Sequence, residues 1–163
     1  NYNAPTQHVI AGERAAVEAA VAILEAEYGA TTVETESRVP MHSPVLNPVA
    51  QAFRAELQRA PWRTPSRPYI SNVSGACEPR VSPALLVDRL TAHVTEPVRW
   101  RQSIESLAGG TDPTCFVEVG PGSVLFNMLS RRWLEVRRAK SDDRDAASLA
   151  EQCARVARTV RGE

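Results

Sequence analysis

Long apolar runs and any excess of one charge are both missing from this sequence. No stretch reaches the roughly 18 residues that a membrane-crossing helix needs, which excludes a helical span. Lysine plus arginine number 19, as do aspartate plus glutamate, so the formal net charge is zero. Nothing in that balance recruits nucleic acid or an anionic membrane. Lysine itself is nearly absent: Lys140 stands alone among arginines, a habit of GC-rich coding that says little about chemistry. Cysteine is scarce too. Cys77, Cys115 and Cys153 are odd in number, widely spaced and without redox or metal-site spacing, so reduced thiols in a cytoplasmic protein are expected. No serine sits in a G-x-S-x-G elbow, and no cysteine has a nucleophile-elbow setting. Neither a signal peptide nor an initiator methionine opens the chain, which starts on Asn1-Tyr2-Asn3 and reads as a piece that begins inside a fold.

What is present is an ordinary globular composition, 43% apolar and 23% charged, over 163 residues, enough to bury a real core. Residues 1–12 predict strand, turn and strand, with Asn3-Ala4-Pro5 as turn chemistry and Gly12 as the stop. A helix follows over 13–28, with Val17, Ala20, Val21, Leu24 and Tyr28 as one buried stripe and Gly29 as its end. The β-branched alternation over 31–37 predicts a half-exposed strand. Residues 47–59 read as a helix with Val49, Phe53 and Leu57 inward, broken by Pro61, Pro65 and Pro68. Residues 69–73 predict a buried strand ending at Gly75.

Ser82-Pro83 then starts a helix that carries Leu86, Leu90 and His93 on one face and stops near Glu96-Pro97. A shorter helix places Trp100, Ile104 and Leu107 inward. An apolar strand over 115–119 runs into Gly120-Pro121-Gly122, and a helix with Leu125, Met128 and Leu129 comes straight after. The tail, from about 144 to 160, is amphipathic through Leu149, Cys153, Val156 and Val160, with Asp142, Asp143 and Asp145 suiting the helix dipole. Strands separated by helical crossovers argue for an α/β fold with a parallel sheet covered on both faces.

Four places carry possible chemistry. Val39-Pro40-Met41-His42-Ser43-Pro44 is an extended approach to a histidine followed at once by a helix start, which puts an imidazole at the mouth of a strand-to-helix turn. Ser43, its neighbour, is not placed as a nucleophile for it, so any partner of a His42 base lies on another segment. His93 reads as packing on an apolar helix face. Glu118 closes an apolar strand, where a carboxylate needs partners; backbone amides or an arginine are its expected company, and a catalytic acid is the alternative. Gly120-Pro121-Gly122 lacks the G-x-G-x-x-G spacing and the Walker lysine, and reads as a tight turn.

Taken in order, five segments resemble the C-terminal half of the malonyl-CoA:acyl-carrier-protein acyltransferase family, including acyltransferase domains of polyketide synthases. They are Asn1-Tyr2-Asn3-Ala4-Pro5-Thr6-Gln7-His8-Val9-Ile10-Ala11-Gly12, Pro40-Met41-His42-Ser43-Pro44, Pro68 to Gly75, Pro97-Val98-Arg99-Trp100, and Glu118-Val119-Gly120-Pro121-Gly122. The resemblance implies residues 1–38 in a partial ferredoxin-like small subdomain and 39–163 in the C-terminal part of a large, hydrolase-like α/β subdomain. It implies a serine in a G-H-S-x-G elbow on a missing N-terminal segment, with His42 as its general acid/base in a ping-pong transfer. Malonyl-CoA is then the donor, the phosphopantetheine thiol of an acyl carrier protein the acceptor, and no cofactor is permanently bound. Ketosynthase and other synthase domains are implied partners.

By the same resemblance, the main-chain carbonyl of His93 orients His42, and Met41, Asn1, Asn3 and Gln7 lie at the acyl pocket. Val39-Pro40-Met41-His42 departs from both the H-A-F-H of malonyl-selective and the Y-A-S-H of methylmalonyl-selective domains. Met41 is bulky like the phenylalanine and favours malonyl. The rival expectation is a non-catalytic acyltransferase-like remnant that docks or supports other domains of a megasynthase.

Overall fold

The computed structural model describes residues 1–35, 38–110, 114–129, 136–142 and 147–163. These divide into two units, Asn1–Ser103 and Ile104–Glu163. The chain is α/β, built of short two-stranded sheets and six helices among the described residues.

The first unit opens on a hairpin, β1 (Tyr2–Ala4) against β2 (Gln7–His8), antiparallel around Pro5-Thr6. Helix α1 (Arg14–Tyr28) is alanine-rich and ends where the sequence predicts, at Gly29, whose φ of 62° lets its N–H return to Glu25. No residue of α1 is fully buried, and Tyr28, expected inward, is 75% exposed. Residues 31–35 form no strand, against expectation, and 36–37 lie outside the described residues. Among the described residues no strand pairs with this stretch, so its β-branched pattern has no ladder to join.

Helix α2 (Asn47–Arg59) has the predicted bounds but a different buried face. Ala50 and Leu57, seven residues apart, are its buried pair, while Val49 and Phe53 are 53% and 41% exposed. The inward face packs on α3 (Pro83–Ala92), whose own Leu86 and Val87 are buried, and Arg54 reaches Asp88 at 2.5 Å across the rim. Ser82 caps α3 by accepting from Leu85 N, with Pro83 in the first turn. The helix ends at Ala92, four residues before the expected stop. Beside it β3 (Tyr69–Ile70) pairs antiparallel with β4 (Cys77–Glu78), so only the first two residues of the predicted 69–73 strand are extended. Residues 71–75 instead make a turn held by Ser71, 1% exposed, whose Oγ accepts from Val73 N at 3.1 Å and whose carbonyl accepts from Gly75 N at 2.8 Å. Gly75 has φ 66°, and a Cβ there would lie 2.9 Å from Gln102 Cβ and 3.0 Å from Arg99 Cβ. Only glycine fits.

Helix α4 (Trp100–Ala108) carries the division between the units; Ser103 and Ile104 are buried, and Leu107, expected inward, is exposed. The second unit is a parallel pair, β5 (Cys115–Glu118) and β6 (Arg137–Lys140), in register Cys115↔Arg137 to Glu118↔Lys140. Helices α5 (Val124–Met128) and α6 (Leu149–Arg161) pack on it. Ser148 caps α6, and the predicted residues 144–146 of that helix lie outside the described residues. Strand β6, with three cations in four residues, carries no apolar alternation that sequence reading detects. Its Arg138 explains it: the guanidinium sits 4.4 Å over the Phe126 ring and donates to the carbonyls of Phe126 and Leu129 at the end of α5. Among the described residues no helix is long and apolar enough to cross a membrane. The three cysteines are free.

Candidate active site

A tight turn at Pro40, closed by Met41 N donating to Val39 O at 2.9 Å, delivers His42 to the start of a 3₁₀ turn, Pro44–Leu46, that leads into α2. Ser43 is the cap of that turn. Its hydroxyl accepts from Val45 N at 3.3 Å and it is 2% exposed, so it is a structural serine. His42 has a φ of 63°, and it is the one non-glycine residue with positive φ among those described. An L-residue held there costs on the order of 1 kcal/mol and persists only where its surroundings fix it.

Two hydrogen bonds do the fixing, and both go to the end of α3. His42 N donates to Val94 O at 3.0 Å, and His42 Nδ1 lies 2.8 Å from His93 O. A carbonyl only accepts, so Nδ1 carries the proton in the neutral ring and Nε2 carries the lone pair. Nε2 has no hydrogen-bond partner among the described residues. The half-buried ring can therefore take a proton at Nε2 while Nδ1–H stays anchored.

His93 does more than sequence reading gives it. Besides offering its carbonyl, it stacks its ring on His42, centroids 4.9 Å apart at 35°. Its Nε2 lies 3.0 Å from Nδ2 of Asn72. Burial, and then the neighbouring His42, hold the His93 pKa below the ordinary histidine value. The ring is thus kept neutral, and the amide N–H of Asn72 meets a lone pair on Nε2. Sequence reading does not single out Asn72, although it stands inside the Pro68–Gly75 segment that carries part of the resemblance.

Met41 precedes the histidine and is 43% exposed. Asn1, Asn3 and Gln7 sit on the β1–β2 hairpin; Asn3 is buried, Asn1 half-buried and Gln7 exposed. Tyr2 N donates to Val98 O at 2.8 Å, which ties the hairpin to the segment just after His93. No hydrogen bond joins Asn1, Asn3 or Gln7 to His42 or His93 among the described residues. Glu118 lies in the second unit and is fully engaged. Its Oε1 accepts from Leu125 N at 3.1 Å and its Oε2 from Phe126 N at 2.8 Å. The backbone-amide alternative is the one realised. Gly120 N and Gly122 N donate to Ser141 Oγ and Asp142 Oδ2 at 2.9 and 2.6 Å, so the glycine turn is likewise closed on its own unit. No group of three or more metal-binding side chains occurs among the described residues.

No family model matches the chain. It is 34% identical over 131 residues to the malonyl CoA-acyl carrier protein transacylase of Salmonella typhimurium, an alignment covering 80% of this chain and 41% of that protein. The crystal structure of MCAT from Streptococcus pneumoniae matches with a TM-score of 0.79 at 29% identity, over 99% of this chain and 49% of that one. The acyltransferase domain of an iterative polyketide synthase of enediyne biosynthesis matches with a TM-score of 0.70 at 32% identity, over 91% of this chain and 36% of that one. The chain spans about half the length, or less, of the relatives it matches.

Proposed function

Since the chain belongs, over part of their length, to the malonyl-CoA:acyl-carrier-protein acyltransferases, we propose that it supplies the general acid/base of a malonyl transfer from CoA to a carrier-protein thiol. The nucleophile is a serine outside these 163 residues, on an N-terminal segment of the same assembly. In the first half-reaction His42 Nε2 takes the serine Oγ proton as Oγ attacks the thioester carbonyl. The tetrahedral adduct then collapses, and the imidazolium returns that proton to the departing CoA sulfur. In the second half-reaction Nε2 takes the proton of the phosphopantetheine thiol, which attacks the malonyl-serine ester. Serine leaves and regains its proton from Nε2. Each half-reaction needs one site that accepts and then donates near neutral pH, and an imidazole with a free nitrogen does both.

The observation that carries this reading is the 2.8 Å contact between His42 Nδ1 and the His93 carbonyl, which selects the tautomer with a basic Nε2. A strained backbone at the same residue supports it, since positive φ in a histidine is kept where something depends on the ring's placement. A degenerate docking remnant has no reason to retain either. Met41, bulky and next to His42, is the residue proposed to crowd an α-methyl branch, so malonyl is the proposed extender; one methyl is worth about 1–3 kcal/mol of discrimination.

The test is His42→Ala in the complete protein, assayed for transfer from malonyl-CoA to a carrier protein. Transfer within tenfold of wild type removes the proposed role. A preference for methylmalonyl-CoA when the two donors compete in the wild-type assay removes the extender assignment.

A further inference from the structure

The carbonyl of His93 accounts for one restraint on the His42 ring, a single hydrogen bond at 2.8 Å. That alone leaves a rotated ring a minor but real population, because one net hydrogen bond gives a preference of only about tenfold. The second restraint is the His93 imidazole, packed against the His42 ring at 4.9 Å. For it to restrain anything, the His93 ring must itself be held. The only hydrogen-bonding group found on it among the described residues is Asn72 Nδ2, 3.0 Å from Nε2.

Asn72 is fixed in turn. Its carbonyl accepts from Arg99 N at 2.8 Å, and the turn around it is closed by the Ser71–Val73 and Ser71–Gly75 bonds. The close approach of Gly75 to Arg99 and Gln102 sets where that turn sits.

We propose that Asn72 is a positioning residue for the His42 base, acting through the His93 side chain: its amide holds the His93 ring, and the held ring confines His42 to the rotamer in which Nδ1 meets the carbonyl and Nε2 remains for the reaction. The inference rests on the acid/base reading of His42 and adds to it. An amide N–H directed at Nε2 also keeps His93 neutral, because a proton on that nitrogen would face a second donor. The imidazolium formed at His42 during transfer then has no cation stacked against it. Asn72 touches no reacting atom, so its effect falls on turnover and not on donor binding.

The experiment compares Asn72→Ala, Asn72→Asp, His93→Gln and His42→Ala in the complete acyltransferase, with kcat and KM measured for malonyl-CoA. His93→Gln keeps the backbone carbonyl and removes the ring. Asn72→Ala and His93→Gln are expected to lower kcat by roughly tenfold or more, with KM for malonyl-CoA within about twofold, since a misplaced catalytic group acts on the chemical step. Asn72→Asp, nearly isosteric, is expected to fall further, because a carboxylate accepts a hydrogen bond from a protonated His93 Nε2 and so favours an imidazolium beside His42. Values of kcat within twofold of wild type for Asn72→Ala and His93→Gln overturn the inference. Should Asn72→Ala not fold, His93→Gln decides by the same criterion. Loss at His42→Ala with the other variants unaffected sinks this inference alone, whereas survival of His42→Ala sinks the acid/base reading beneath it.

Discussion

His42 in the first unit and Glu118 in the second occupy comparable places: one follows a tight turn and the other ends a strand, and a helical segment begins a few residues after each. Their side chains are treated differently. Both oxygens of Glu118 accept backbone N–H groups of α5, and the glycine turn after it is closed by Ser141 and Asp142. His42 gives one nitrogen to the His93 carbonyl, and the other has no hydrogen-bond partner among the described residues. A polar side chain at a helix entrance satisfies the helix by default, because the first N–H groups of any helix lack partners. His42 escapes that duty because Ser43, next to it, caps the turn in its place. The lesson is that a candidate catalytic group is recognised by which of its atoms the fold leaves unused.

Substitutions sharpen this contrast. The largest expected effect is His42→Ala: loss of transfer by about 10²–10⁴-fold, the usual worth of a general acid/base. Its melting temperature is expected to fall by only a few degrees, the cost of the one hydrogen bond to the His93 carbonyl. A large loss of stability with the rate per folded molecule retained would mean that His42 is structural, like Glu118. Next comes Gly75→Ala. Strain at φ 66° and two near-collisions are expected to cost about 2–3 kcal/mol, read by denaturant unfolding. The same variant should lower turnover, because the displaced turn carries Asn72. Unchanged unfolding would show that the turn has room to move.

The smallest is Glu118→Gln, which keeps the shape but removes the charge and one acceptor. It is expected to cost about 1 kcal/mol, in the range of a lost helix cap. Transfer per folded molecule is expected to be unchanged, and a tenfold fall in kcat would move Glu118 from support to chemistry.

Much of this was legible beforehand. Gly29 and Ser82-Pro83 punctuate α1 and α3 by chemistry that needs no tertiary partner, which is why those boundaries read correctly. The His42 motif was legible for the same reason, as a proline-extended approach followed by a serine cap. Other features were not. The buried face of α2 was misread because Val49, Phe53 and Leu57 repeat as regularly as Ala50 and Leu57 do; α3, lying against the second pair, made the choice. Strand β6 was missed because Arg138 belongs there for a ring and two carbonyls found only in the folded unit. The carbonyls of His93 and Val94, just past the last turn of α3, are the ones that meet His42, a contact no local pattern announces.

The sequence by itself determined the helices, their caps and the identity of the histidine, because these follow from backbone sterics and hydrogen bonding within a few residues. Only the tertiary structure decided which nitrogen of that histidine lacks a partner among the described residues, that the His93 ring as well as its carbonyl lies against His42, and that Asn72 meets the His93 ring. Those outcomes depend on atoms 21 and 51 residues apart in the chain meeting within about 3 Å. Periodicity carries no record of such meetings.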